Sequence, residues 1–153
     1  MSLRLRKADY SDVDLLYRWV NDDAVRANAF HTEKIPYEDH VRWFEKMMAN
    51  VSVYQYILCE DEMPVGQIRM SVEQGEAFID YSVSSDQRHK GYGSEMLRMV
   101  QEQMIADQIT CVTKLVGQVK HENYASAKAF ERCGFLKKEM SEYIQYEKKL
   151  TNL

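Results

Sequence analysis

The chain has 153 residues, of which 45% are hydrophobic and 29% are charged, and its formal net charge is −4. This size and composition are typical of one globular domain with a sizeable core. The negative charge argues against binding to duplex nucleic acid, which normally requires a basic face. No apolar run approaches the roughly 20 residues of a membrane-spanning helix, so no membrane association is expected.

The three cysteines, Cys59, Cys111 and Cys133, are odd in number and have no paired spacing. We therefore expect free thiols, buried as small hydrophobic residues in a reducing compartment. The first residues contain no apolar signal segment, which also favours a cytoplasmic location. Cys-x-x-Cys and His-Glu-x-x-His spacings do not occur in the sequence, so no metal site is predicted.

The first third of the chain is predicted to form a strand, two main helices and a small helix between them. Leucine alternates with arginine in the strand, and Ser11 with Asp14 predicts a capping box that begins the first helix. Pro36 is typical of a first helical position, and apolar residues recur at helical spacing after it. The predicted segments are residues 3–6, 11–20, 24–27 and 36–49.

The rest of the chain begins with three strands that alternate in hydrophobicity and are joined by two short turns, which predicts an antiparallel meander. A helix, a strand, a helix ending at Gly134 and a closing β-hairpin follow. The predicted segments are residues 53–60, 66–72, 77–83, 96–104, 112–119, 123–133, 135–138 and 142–150. The predicted order, β-α-α-β-β-β-α-β-α-β-β, describes one α/β (α+β) domain, residues 1–153. Its mixed, mostly antiparallel sheet is flanked by helices.

The loop of residues 88–94, Arg-His-Lys-Gly-Tyr-Gly-Ser, connects a predicted strand to a predicted helix. Gly91 and Gly93 permit backbone conformations that a Cβ disfavours, and they let main-chain N–H groups converge. The first helical turn adds unpaired N–H donors and the positive end of the helix dipole. An anion site suited to a pyrophosphate is therefore predicted, with a plain turn carrying solvated basic residues as the alternative. Neither a Walker A loop nor a dinucleotide fingerprint matches this spacing.

The pattern Arg-x-x-Gly-x-Gly between a strand and an amphipathic helix resembles the acetyl-CoA loop of the GCN5-related N-acetyltransferases, the GNAT superfamily. A second motif, Asn123-Tyr-Ala-Ser through Gly134-Phe135, is similar to that family's Asn-x-x-Ser/Ala…Gly-Phe helix, and the order of elements matches a GNAT-like fold over almost the whole chain. The resemblance implies acetyl-CoA as cofactor and transfer of its acetyl group to an amine.

The resemblance also implies where the cofactor lies. The strand of residues 77–83 would splay from the next strand at a bulge and hold the pantetheine arm in the resulting cleft, and the pyrophosphate would bind the glycine loop. The implied cofactor-binding residues are Ser82, Val83, Ser84, Arg88, His89, Lys90, Gly91, Tyr92, Gly93, Ser94, Asn123 and Arg132.

The implied reaction is attack of a neutral amine on the thioester. It needs a group that takes the amine proton and main-chain N–H donors for the oxyanion, here near Val83. Asp80 is the candidate base, acting directly or through water, with Glu76 and Gln118 as alternatives. A solvated strand carboxylate is the plain interpretation of Asp80.

Many members of the family have a tyrosine seven residues after the helix asparagine, where it protonates the leaving thiolate. Here that position is Phe130, which has no acidic proton. Tyr124 and Tyr143, and also Tyr146, are the candidate substitutes. A thiolate can also leave without an acid, because a free thiol has a pKa of about 8.5.

The acceptor side is predicted from residues 17–44, which mix aromatic residues, histidines and arginines. The patterns Trp-x-Asn-Asp…Arg…Phe and His-x-x-Trp-Phe resemble the sugar-nucleotide N-acetyltransferases of the pseudaminic acid pathway. That resemblance implies a UDP-linked amino sugar, with a diphosphate clamped by Arg26 or Arg42. The implied substrate-binding residues are Arg26, Phe30, His31, His40 and Trp43.

Several alternatives stay open from the sequence. Trp19 and Trp43 are also typical of core anchors at helical spacing. The negative net charge favours a cationic acceptor, such as a polyamine, an antibiotic amine or a protein N-terminus. A non-catalytic acyl-CoA-binding module is the alternative of another class, motivated by Phe130. The oligomeric state is open, a homodimer included.

Overall fold

A computed structural model describes residues 2–150 of the protein. Its seven strands and five α-helices, with two short 3₁₀ turns, follow the predicted order, and the small helix predicted for residues 24–27 is present as α2, between the two helices that this order counts before the second strand. The elements are β1 Leu3–Lys7, a 3₁₀ turn Tyr10–Asp12, α1 Val13–Val20, α2 Asp23–Asn28, α3 Tyr37–Ala49, β2 Val53–Glu60, β3 Met63–Glu73, β4 Glu76–Val83, a 3₁₀ turn Ser85–Gln87, α4 Tyr92–Ala106, β5 Lys114–Val119, α5 Tyr124–Arg132, β6 Leu136–Glu139 and β7 Ile144–Lys149.

The strands form one sheet in the order β1-β2-β3-β4-β5-β7-β6. Only the β4–β5 pair is parallel among the described strands, so the sheet is mixed and mostly antiparallel, as predicted. A parallel pair needs a crossover connection, which α4 supplies between β4 and β5.

Each face of the sheet has its own hydrophobic core. In β2, Tyr56 and Leu58 belong to the larger core with α4 and α5, whereas Ile57 and Cys59 belong to a smaller core with α1 and α3. Alternate strand residues point to opposite faces, so the period of two in the sequence separates these cores. The predicted alternation in β3 and β4 is confirmed, because Ile68, Met70 and Ala77 all belong to the larger core.

The predicted capping box at Ser11 is wrong. Asp9 and Asp12 form the box instead, and Ser11 lies inside the 3₁₀ turn that precedes α1. The Asp12 carboxylate accepts from the Asp9 N–H at 2.8 Å and from both terminal nitrogens of Arg6 at 2.8 Å. Burial raises the pKa of Asp12, but hydrogen bonds from Arg6 and Asp9 outweigh it and hold the pKa below its usual value.

Two of the cysteines behave as predicted. Cys59 and Cys133 are buried free thiols, but Cys111 is exposed in the loop before β5, so its predicted burial is wrong. Gly134 has φ +84° and ends α5, which confirms its predicted role as the residue after the helix.

Candidate active site

A cavity of about 1110 Å³ opens where β4 and β5 separate. The parallel pairing runs from Glu76–Lys114 to Ile79–Gly117 and stops there, although β4 continues to Val83. The cavity extends from α1–α3, across the ends of β4 and β5, to the loop before α4 and to α5. The implied splay is therefore present.

The implied bulge in β4 is wrong, because β4 pairs with β3 from Glu73–Glu76 to Gly66–Val83 without a shift of register. The separation coincides with a ring of α5 packed against β5. A Cβ built on Gly117 would lie 2.2 Å from the Cζ atom of Phe130, so this ring fills the space beneath Gly117.

Main-chain groups of β4 face the open slit. The Ser84 N–H donates to the Val65 carbonyl in β3 at 2.8 Å. Successive residues of a strand direct their backbone N–H and C=O groups to opposite edges of that strand. The backbone groups of Ser82 and Ser84 therefore face β3, and those of Tyr81 and Val83 face the slit.

The two loop glycines serve different purposes. Gly91 has φ +83° and is the N-cap of α4, so its left-handed backbone conformation is as predicted. Gly93 lies inside the first helical turn, and its constraint is spatial: a Cβ there would lie 3.0 Å from the Tyr81 ring. The first-turn N–H groups of α4 have no intrahelical partners and border the cavity. This arrangement has the geometry of an anion site.

The basic residues of the loop are differently engaged. Arg88 donates to Asp22 at 2.5 Å, which joins the loop to the N-terminus of α2. Asp22 also caps α2 by accepting from the Val25 N–H at 3.1 Å. Burial raises the pKa of Asp22, but these hydrogen bonds lower it further than burial raises it. Lys90 donates to Gln87 at 2.9 Å, and His89 lines the cavity.

The remaining implied cofactor residues lie around the same opening. Asn123 is the N-cap of α5, and its side chain accepts from the Ser126 N–H at 3.3 Å. Arg132 and Ser94 line the cavity, Ser94 as a buried residue. The Tyr92 hydroxyl donates to Glu60 and is therefore not free to bind the cofactor.

On the α1–α3 face of β4, Asp80 ends a chain of hydrogen bonds. Its carboxylate accepts from the Gln67 amide at 3.2 Å, and the same nitrogen donates to Ser82 at 3.1 Å. Arg69 lies 3.6 Å from Asp80 and stacks over the Trp43 ring at 4.9 Å. The Asp80 side chain is 60% exposed towards the cavity, so a ligand can reach it.

Sequence reasoning missed a tyrosine on the opposite face of the slit. The Tyr81 hydroxyl lies 3.0 Å from the Ser126 hydroxyl, and its ring packs edge-on against Phe130 with centroids 5.8 Å apart. Burial raises the pKa of Tyr81 to about 12. In the sequence, only the position of Tyr81 next to Asp80 pointed to it. Its partner Ser126 is 45 positions away, so no local motif links the two residues.

The predicted tyrosines are dispersed. Tyr124 is 70% exposed at the cavity rim. Tyr143 lies in a separate recess of about 400 Å³, with its ring 6.0 Å from that of Phe30. Tyr146 is fully buried and donates to Glu131 at 2.6 Å.

The alternative bases also differ in position. Glu76 lies at the far end of β4, 3.8 Å from Lys114. Gln118 lines the cavity and donates to Gln145 at 3.1 Å.

The residues predicted to bind the acceptor include several with structural contacts. The Arg26 guanidinium donates to the main-chain carbonyls of Val20, His31 and Glu33 at 2.7, 2.9 and 3.2 Å. His40 is buried with its Nε2 atom 2.8 Å from the Val13 carbonyl.

Other parts of the predicted acceptor site are more open. Phe30 and Trp43 line the cavity as exposed aromatic residues. His31 is exposed on the loop after α2, where its carbonyl meets Arg26. Arg42 is exposed and pairs with Asp39, which lines the cavity.

Within residues 2–150, the structure has no helix with both the length and the apolar character that crossing a bilayer requires. The same residues contain no group of three or more His, Cys, Asp or Glu side chains placed to hold a metal ion.

Solved structures with a similar fold cover nearly the whole chain. The aminoglycoside acetyltransferase AAC(6')-Ib with coenzyme A and kanamycin is 20% identical, with 97% of this chain and 95% of that chain covered and a TM-score of 0.81. The spermidine N-acetyltransferase of Vibrio cholerae with coenzyme A and spermine is 12% identical, with 96% and 95% covered and a TM-score of 0.84. An acetyltransferase of Salmonella typhimurium that modifies the N-terminal serine of ribosomal protein L7/L12 is 17% identical, with 99% and 96% covered and a TM-score of 0.79. These likenesses establish the fold.

The sequence has no significant match among curated proteins. A family model described as the acetyltransferase (GNAT) domain matches residues 2–136, which is most of the chain. The predictions of family, enzyme class and cofactor are thereby confirmed. The chain belongs to the GNAT acetyltransferase family, and it is an N-acetyltransferase that uses acetyl-CoA.

Proposed function

We propose that this enzyme acetylates a primary amine of a small amino sugar. The observation that carries the proposal is one cavity bordered at one end by the anion-binding geometry of the α4 loop. Its other end is bordered by the carboxylate and amide cluster around Asp80. The acetyl-CoA thioester would lie towards the α4 loop, and a hydroxylated amine would lie beside the Asp80 cluster.

The cofactor fits along the cavity in an extended form. The pyrophosphate would accept hydrogen bonds from the main-chain N–H groups of residues 91–94 at the positive end of α4. The pantetheine arm would pair with the main-chain groups of Tyr81 and Val83 that face the slit. His89 and Arg132 line the cavity where further phosphate charge would lie.

The alternation of β4 places the group that would accept the amine proton and the group that would stabilise the leaving thiolate on opposite faces. Asp80 lies on the α1–α3 face, so a neutral amine approaching from that side would lose its proton to Asp80, directly or through water. Main-chain N–H groups of the slit would stabilise the oxyanion.

Tyr81 lies on the opposite face, beside α4 and α5, where the coenzyme A thiolate would leave. Because burial raises its pKa to about 12, Tyr81 stays protonated and would donate a hydrogen bond to the sulfur. A thiolate, whose free thiol has a pKa of about 8.5, does not remove that proton. Tyr81 would thus stabilise the leaving thiolate by a hydrogen bond, which Phe130 cannot donate.

The contacts of the acceptor side favour a sugar over a polyphosphate ligand. Asp80 and Ser82, which the buried Gln67 amide holds in place, offer hydrogen-bonding groups that suit sugar hydroxyls. The Arg26 guanidinium is occupied by three carbonyls. The charge of Arg42 is paired with the Asp39 carboxylate, so the predicted diphosphate clamp has little support. A nucleotide on the sugar would therefore extend past these arginines into solvent.

A thiol-release assay with acetyl-CoA and a panel of amines tests the proposal. The panel contains a UDP-linked amino sugar, the free amino sugar, an aminoglycoside, spermidine and an N-terminal peptide. We expect turnover with the sugar amines. Turnover confined to spermidine or the peptide would refute the amino-sugar acceptor.

A matched pair of variants tests the base. Asp80→Asn is expected to lower kcat/KM by about 10²- to 10⁴-fold, the usual contribution of a general base. Glu73→Gln, an exposed carboxylate on the adjacent strand, is the control and is expected to leave kcat/KM unchanged. Equal activity of the two variants would remove Asp80 from the mechanism.

A further inference from the structure

Gln55 of β2 is a buried polar residue in the wall of the active-site cavity. It is 6% exposed and lines the cavity. Its side-chain nitrogen donates to the Gln67 side-chain oxygen at 2.8 Å and lies 3.3 Å from the carbonyls of Tyr56 and Ile68. Its side-chain oxygen, Oε1, has no hydrogen-bond partner within residues 2–150.

The orientation of both amides follows from the Asp80 carboxylate. A carboxylate only accepts hydrogen bonds, so Gln67 must present its NH₂ group to Asp80. The Gln67 oxygen then faces Gln55, which must present its own NH₂ group. Turning either amide would set two acceptors against each other. This series of hydrogen bonds therefore ends at the Gln55 oxygen, which has no partner among the described residues.

An unpaired buried acceptor is unfavourable, because it has lost water without gaining a replacement partner. Its place in the cavity wall indicates what the replacement is. We propose that the Gln55 Oε1 atom accepts a hydrogen bond from a hydroxyl group of the bound acceptor. Gln55 thereby selects amines that carry such a donor near the reacting nitrogen. This inference rests on the proposed function and specifies the recognition chemistry of the same site.

The geometry sets two conditions on that ligand group. The group must be small, because the Oε1 atom is enclosed and a ligand reaches it only after a small shift of the Gln55 amide towards the cavity. The group must be a donor, because a phosphate or carboxylate oxygen would oppose the Gln55 oxygen. A sugar hydroxyl meets both conditions.

The test compares an amino sugar that the enzyme acetylates with its monodeoxy analogues, each with the free amine and lacking one hydroxyl. In the wild-type enzyme, one analogue is expected to lose about tenfold in kcat/KM, as for one buried hydrogen bond. Gln55→Met keeps the length of the side chain but has neither donor nor acceptor. In that variant the native sugar and the same analogue are expected to react within about twofold of each other.

A merely structural role of Gln55 gives a different result, because Gln55→Met would then slow both sugars equally and the wild-type preference would persist. That outcome overturns the inference, as does a wild-type enzyme with no preference for any hydroxyl. Acetyl-CoA that binds without turnover of any amine would instead remove the proposed function, and this inference with it.

A wild-type measurement covers the case of a variant that does not fold. The Gln55 side-chain NH₂ resonances are expected to shift when the native sugar is added in the presence of coenzyme A. They are expected to stay in place with the discriminating analogue, and equal shifts with both sugars would overturn the inference.

Discussion

Replacing Gly117 with alanine tests whether the Phe130 ring determines the packing at the point where β4 and β5 separate. The new Cβ would lie 2.2 Å from the ring Cζ atom and 2.5 Å from Cε1, well inside any normal contact. The ring has little room to retreat, because it stacks on Tyr146 at 5.3 Å and meets Phe135 at 5.0 Å. Overpacking of this kind typically costs about 1–3 kcal/mol.

For a domain of this size, Gly117→Ala is therefore expected to lower Tm by about 2–12 °C, from about 2–4 °C per kcal/mol. Urea unfolding followed by circular dichroism measures the change in the free energy of unfolding. Gln118→Ala, on the same strand with an exposed side chain, is the control and is expected within about 0.5 kcal/mol of the wild type.

A double-mutant cycle isolates the contact. Phe130→Leu shortens the ring side chain and leaves room for the new methyl group. The double variant is expected to be more stable than the sum of the single changes predicts by about 1 kcal/mol or more. Additive losses, or a Gly117→Ala protein as stable as the Gln118→Ala control, would refute the packing argument.

Phe130→Tyr is expected to lose stability by about 1–3 kcal/mol without any gain in turnover, because its hydroxyl would extend towards Gly117; faster thiol release would contradict this. Gly93→Glu is expected to weaken coenzyme A binding at least about tenfold in calorimetry, since a carboxylate enters the anion site and its Cβ meets the Tyr81 ring. Unchanged affinity would disprove the pyrophosphate position. Burial lowers the pKa of His40 in the folded protein despite its hydrogen bond to a carbonyl, so the unfolded chain takes up this proton first. Stability is therefore expected to fall as the pH drops below about 6.5, by at most about 1.4 kcal/mol per pH unit. Urea unfolding at pH 7.5 and 5.5 should show a smaller fall for His40→Gln, and equal falls would exclude His40 as the source.

Much of the fold was predictable because its signals are local. Period-two alternation in β3 and β4 separates the two faces of the sheet whatever the rest of the chain does. The glycine loop between strand and helix likewise specifies a left-handed turn at Gly91 and free N–H groups after it. The capping box predicted at Ser11 is formed instead by Asp9 and Asp12, which have the same spacing, and Arg6, outside the local motif, also engages Asp12.

The sequence by itself determined which residues lie on each face of β4 and where the glycine loop with its free N–H groups begins, because both follow from backbone periodicity and glycine chemistry. Only the tertiary structure decided the partners. Gln55 comes to face Gln67 and Asp80 through the register of three strands, and Tyr81 meets Ser126 through the packing of α5 on the sheet. Such contacts join residues distant along the chain, and their geometry depends on register and packing, which no short sequence window contains.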